Sequence, residues 1–156
     1  MNPKHILRSA EQFEQTANLV TQQIGMGGPH PPIAPFIVNI TFSIELYLKC
    51  LIIMEKNSRP KKTHRLYTLF NEVSSASRKA ITDDFNDLIN SDPMTNAMKK
   101  EIPHLKTDIH SVLLGMNKAF EQWRYHSIDG MAQSSVMATN ELITAIKNRI
   151  KELDSY

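Results

Sequence analysis

The chain has 156 residues, 41% of them apolar and 22% charged, which suits one domain with a core of its own and excludes a disordered or low-complexity polymer. Eighteen basic residues against sixteen acidic give a net charge of +2, too balanced to argue for nucleic acid from charge alone, although a local basic patch remains open. A single cysteine, Cys50, rules out an internal disulfide and a cysteine-based zinc site.

In chain order, Ile6, Ala10, Phe13, Ala17, Val20 and Ile24 recur at steps of three and four, predicting a helix over Pro3–Ile24. The stretch "GMGGPHPPIAP" then packs three glycines and four prolines into eleven residues and breaks it. It lacks the GK[ST] ending of a phosphate loop and precedes no strand. A second helix, about Phe36 to Asn57, is apolar on nearly every side, as a central helix is. Its length invites a membrane reading, but Asn39, Glu45 and Lys49 are costly in mid-bilayer. With a polar start to the chain and no leader pattern, the expectation is a cytoplasmic protein that does not enter a membrane.

Thr63 is placed to cap a third helix carrying Leu66, Leu69, Phe70 and Val73. Ser77 resembles the cap of a fourth, through Ile81, Phe85, Leu88 and Ile89, ended by Asp92-Pro93. Residues 91–101 read equally as loop or weak helix. From Ile102 a stripe runs through Leu105, Ile109, Leu113, Met116, Phe120 and Trp123, with Pro103 suited to its first turn. After "HSIDG" a last helix, beginning between Met131 and Ser135, carries Val136, Ile143, Ile146, Ile150 and Leu153. No period-two alternation occurs. The expectation is a single all-α, up-and-down bundle of about five main helices over residues 1–156.

Within this pattern Glu45 and Lys49 stand out, an acid and a base one turn apart in the most apolar helix, in the favourable order. Two readings stand. They form a weak pair on an exposed edge, or they face a polar groove, where an ionised group is costly to desolvate and so marks a site. Cys50, in the same segment, reads as a buried, unreactive thiol. Six histidines show no i, i+4 pair, and Asp83, Asp84 and Asp87 read as a solvated face, so no metal site and no cofactor is expected. Lys56, Arg59, Lys61, Lys62, His64 and Arg65 form the densest basic patch, a solvated loop or a contact for a phosphate backbone.

"IELYLKCLIIMEK", "KKTHRLYTLFNEV" and "AFEQWRYHSID", in that order, resemble the HEPN family of small helical domains. The matching positions are Glu45, Tyr47 and Lys49, then His64, Leu66, Leu69 and Phe70, then Arg124 and Tyr125. The resemblance implies a four- or five-helix bundle, frequently a homodimer, with a cleft near the dimer axis. Many members are metal-independent ribonucleases of toxin, antiphage or CRISPR systems, marked by an arginine followed after four to six residues by histidine. Histidine can deprotonate a ribose hydroxyl, and arginine can clamp the phosphate. This chain departs from that pattern. Arg124 is followed by His126 after one residue, which makes the two side chains diverge on a helix, and Arg59 and His64 have the spacing but lie in a connector. The resemblance therefore implies binding of RNA or a nucleotide at Glu45, Lys49, His64, Arg124 and Tyr125, with Arg124, His126 and His64 as candidate catalytic groups. Arg124 is placed to pair with Glu45. A catalytically silent interaction module and an active ribonuclease are the alternatives.

Overall fold

The computed structural model describes residues 2–125 and 138–155, together with the side chains of these residues except 119 and 121–125. Among the described residues there are seven helices and no strand: α1 (Pro3–Gly25), α2 (Ile33–Lys56), α3 (Leu66–Glu72), α4 (Ser75–Ser91), α5 (Pro93–Glu101), α6 (Ile109–Tyr125) and α7 (Thr139–Asp154). The chain is all-α.

Local chemistry sets most of these boundaries. Asn2 caps α1 by accepting a bond from the Lys4 N–H at 3.0 Å, and Pro3, which has no N–H to satisfy, follows it. α2 begins at Ile33, three residues before the expected Phe36, because Pro35 sits in the first turn, where proline is tolerated. It closes on Asn57 in the left-handed region at φ 47°, a conformation asparagine adopts more readily than most residues.

Three expected starts move. Thr63 does not cap α3; its hydroxyl accepts from the Arg65 N–H at 3.1 Å, and the first N–H of the helix, Leu66, is taken at 2.8 Å by the Asn117 side chain from α6. Ser74, not Ser77, caps α4, accepting from the Ser77 N–H. The helix expected from Ile102 begins at Ile109, because Asp108 accepts from the Ser111 N–H at 2.9 Å and leaves Pro103 in the preceding connector. Burial pushes the Asp108 carboxyl up, but the bonds from Ser111 outweigh it and hold it below the usual range. The ambiguous stretch 91–101 is helical: Asp92 ends α4 and caps α5 through the Thr95 N–H at 2.7 Å, with Pro93 next. The expected start of the last helix and "HSIDG" lie outside the described residues.

α1 and α2 form a long antiparallel hairpin, the most extensive pairing in the fold. The Phe13 and Phe42 rings meet edge to face at 4.6 Å. α2 also packs against α3, α6 and α7, and α4 packs on α7. Ile44, Leu48, Leu51 and Ile52 are therefore surrounded, and the core continues through Leu69, Phe85, Leu113, Met116 and Ile146. By length and composition α2 could cross a membrane, yet 67% of its most apolar stretch is buried inside the bundle, as in a core helix.

α3 runs parallel to α2, and α6 runs antiparallel to both. His64 meets Glu45 near the middle of α2, while Lys56 at its end donates to the Glu72 carbonyl. Along α6, His110 lies against Tyr67 and Phe70, and Phe120 lies against His64. The middle of α2, the start of α3 and the later part of α6 thus converge on one corner.

Candidate functional site

At that corner Glu45 is 2% exposed, which overturns the exposed-edge reading. Its Oε1 accepts from Lys49 Nζ at 2.6 Å, and its Oε2 lies 3.0 Å from His64 Nδ1. The helical register supplies Lys49 one turn on, and the connector 57–65 brings His64 in from the side. A carboxylate removed from water needs such donors, since a buried unpaired charge is costly. Lys49 is half-buried, whereas the His64 side chain is 61% exposed, so the cluster opens to solvent through the imidazole. Phe120 lies near that ring, 6.4 Å between centroids.

The structure thus brings together Glu45, Lys49 and His64. Arg124 and Tyr125 belong to the last turn of α6, one turn beyond Phe120; their side chains, and all of His126, lie outside the described residues, and so does the expected Glu45–Arg124 pair. The expected core position of Trp123 is outside them as well. Thr41, one turn before Glu45, is buried, and its hydroxyl finds no hydrogen-bond partner among the described residues. Ser43 is buried too, and returns its hydroxyl to the Ile40 carbonyl at 2.9 Å.

Beside His64, the side chains of Arg59, Lys61, Lys62 and Arg65 make no ion pair among the described residues. The connector is anchored by backbone and neighbours instead: the Lys61 N–H reaches the Glu72 carboxylate at 3.2 Å. Its cations therefore remain available.

Sequence reasoning missed a second polar cluster. The buried Tyr47 hydroxyl donates to Glu14 of α1, whose Oε2 also accepts from Lys147 Nζ of α7 at 3.0 Å, and the same ammonium stands 5.7 Å from the Tyr47 ring centroid. Burial first, then the Glu14 carboxylate, push the Tyr47 phenol far above its ordinary range, so it remains a donor. A signal was present: Glu14 and Lys147 occupy positions on the apolar stripes of their own helices, beside Ala10 and Ala17 and beside Ile143, Ile146 and Ile150. Among the described residues no group of histidine, cysteine and carboxylate side chains is arranged to hold a metal ion.

In comparisons with known proteins, no family model, no curated protein and no solved structure matches this chain. The HEPN resemblance rests on the quoted residues alone.

Proposed function

We propose that the chain is a HEPN-like helical domain that binds RNA or a nucleotide at the Glu45–Lys49–His64 corner, with the Arg-x4-6-His pattern of the nucleases it resembles absent or displaced. The observation that carries this reading is the buried Glu45 holding a solvent-facing His64 beside four unpaired cations of the same connector. Glu45 fixes the imidazole, and Arg59, Lys61, Lys62 and Arg65 offer phosphate-binding charge at its rim. Arg124, Tyr125 and His126 enter as the groups that would complete the site from the end of α6. The setting that fits the resemblance is defence or toxin–antitoxin, and the assembly is a homodimer, tested by sedimentation.

Fluorescence anisotropy with a labelled single-stranded RNA tests the binding. With four cations engaged, the log–log dependence of affinity on salt has a slope of about −3. Arg59→Glu with Lys62→Glu abolishes binding without unfolding the bundle, since both side chains are exposed. Salt-independent binding, or none, rejects the reading. Incubation with mixed RNA in chelator, beside Arg124→Ala and His126→Ala, separates binding from cleavage: product that vanishes in the variants establishes a metal-independent ribonuclease.

One observation favours a catalytically silent interaction module. Both Glu45 oxygens are already occupied within the chain, and Leu19, Met26 and Ile33 leave apolar surface exposed around the α1–α2 turn. Under that reading RNA neither binds nor is cut.

A further inference from the structure

On another face, α3, α4 and α6 border an open cleft of about 340 Å³ lined by Asn71, Ser75, Arg78, Lys79, Asp83 and His110, among others, with Phe70 contributing its apolar wall. It shares no residue with the Glu45–Lys49–His64 corner, and the inference does not rest on the reading given to that corner. Two cations project from one wall of the cleft, and the fold does not use them up. Arg78 has no carboxylate partner among the described residues; its one recorded side-chain bond is to Asn71 Oδ1 at 3.3 Å, which leaves most of its five N–H donors free. Lys79 pairs with Asp83 at 2.5 Å, but both side chains are well exposed, so water and competing anions exchange with that pair readily.

The opposite wall is the His110 imidazole, held edge-on to Tyr67 with centroids 5.3 Å apart and to Phe70 at 6.4 Å. The aromatic contacts fix the ring, and its nitrogens can bond to an oxyanion. Asn71 keeps its amide N–H groups, and Ser75 adds a hydroxyl. Arg78 and Lys79 stand near the start of α4, where the helix dipole opposes positive charge, so an anion between them relieves a repulsion that the folded chain otherwise carries. The donor set is a planar guanidinium fork, an ammonium, an imidazole and an amide around a small volume, and the Asp83 carboxylate, which lines it too, is the exposed anion that a bound phosphate displaces from Lys79. We propose that this cleft binds the phosphomonoester group of a small molecule.

The test follows the His110 side-chain signals by NMR in the full chain, titrated separately with inorganic phosphate, ribose 5-phosphate, adenosine 5′-monophosphate and adenosine. The phosphates produce a saturable shift and adenosine does not. Tighter binding of the organic phosphates than of inorganic phosphate assigns the site to an esterified ligand; equal binding assigns it to the free oxyanion. Arg78→Met weakens the interaction about tenfold or more. Lys79→Gln, at an exposed position, weakens it independently and serves should Arg78→Met fail to fold. Arg59→Glu with Lys62→Glu leaves it unchanged. No saturable shift below about 10 mM, a shift that survives both Arg78→Met and Lys79→Gln, or one lost in the connector variant overturns the proposal.

Discussion

Thr41 and Glu45 sit one turn apart on α2, both buried, and the fold treats them differently. Glu45 is supplied with an ammonium and an imidazole, while the Thr41 hydroxyl finds no partner among the described residues. An unsatisfied buried hydroxyl costs folding free energy, whereas the donors around a buried carboxylate offset its desolvation, and removing its charge or one of them leaves an uncompensated group. Thr41→Val, nearly equal in shape, is therefore expected to raise the unfolding free energy by about 1 kcal/mol in urea denaturation. A loss of stability would reveal that the hydroxyl is bonded. Glu45→Gln keeps the volume but turns one acceptor into a donor that faces Lys49 and His64. It is expected to lower stability by about 2 kcal/mol, with part regained on adding Lys49→Met, since the second change removes the stranded ammonium. Strict additivity of the two changes would show that the three side chains do not act as a unit.

At the scale of the helices, the caps carry the weight. α5 is nine residues long, too short to persist on propensity, and its start depends on Asp92 accepting from the Thr95 N–H. That bond, made through both the side chain and the backbone of Thr95, holds the Asp92 carboxyl below its ordinary value of 3.8. A depressed folded value means that the carboxylate form stabilises the helix above that ordinary value. This contribution is lost as the pH falls through the lowered one. The protection factor of the Thr95 amide, its exchange measured relative to the unstructured rate at the same pH, is accordingly expected to fall in acid, and Asp92→Asn, which still caps but does not titrate, is expected to remove that dependence. The same chemistry explains what was legible beforehand. The 3.6-residue stripes of α1, α4 and α7 are strong because each buries one continuous face, and the buried positions Ala10, Ala17, Ile81, Phe85, Ile143 and Ile146 all lie on stripes visible in the sequence. Several boundaries were not legible, because tertiary partners set them: Glu55, from α2, binds both the N–H and the hydroxyl of Ser74 and so fixes where α4 starts, and Asn117 does the same for α3. At the candidate site, Glu45 with Lys49 could be read from helical spacing, but their burial and the arrival of His64 depend on the path of the 57–65 connector, which periodicity does not encode.

At the scale of the whole molecule, Cys50 reports on how the bundle opens. It lies on the central helix, with its thiol 3.4 Å from the Pro3 carbonyl, and burial, then Asp154 and Glu11, push it up to about 11. At pH 8 about one thiol in a thousand is ionised at that value, so alkylation of the folded state is slow. Two routes can expose it. Global unfolding separates α1, α2 and α7 together; alternatively, the groove of about 310 Å³ lined by Leu7, Cys50, Met54 and Ile150 admits reagent when the first turns of α1 fray. The two respond differently to a core substitution far from the groove. Leu113 is fully buried on α6, and Leu113→Ala is expected to cost about 3 kcal/mol, which raises the globally open population roughly 150-fold. If opening is global, iodoacetamide labelling of Cys50, followed by intact-mass spectrometry, accelerates by that factor. The extensive α1–α2 pairing and the Glu14–Tyr47–Lys147 link, which ties α1 to α2 and α7 at its middle, favour this outcome, because fraying the first turns leaves that link in place and α1 still covering α2. A labelling rate indifferent to Leu113→Ala but raised by Asn2→Ala, which removes the α1 cap, would place the opening at the groove.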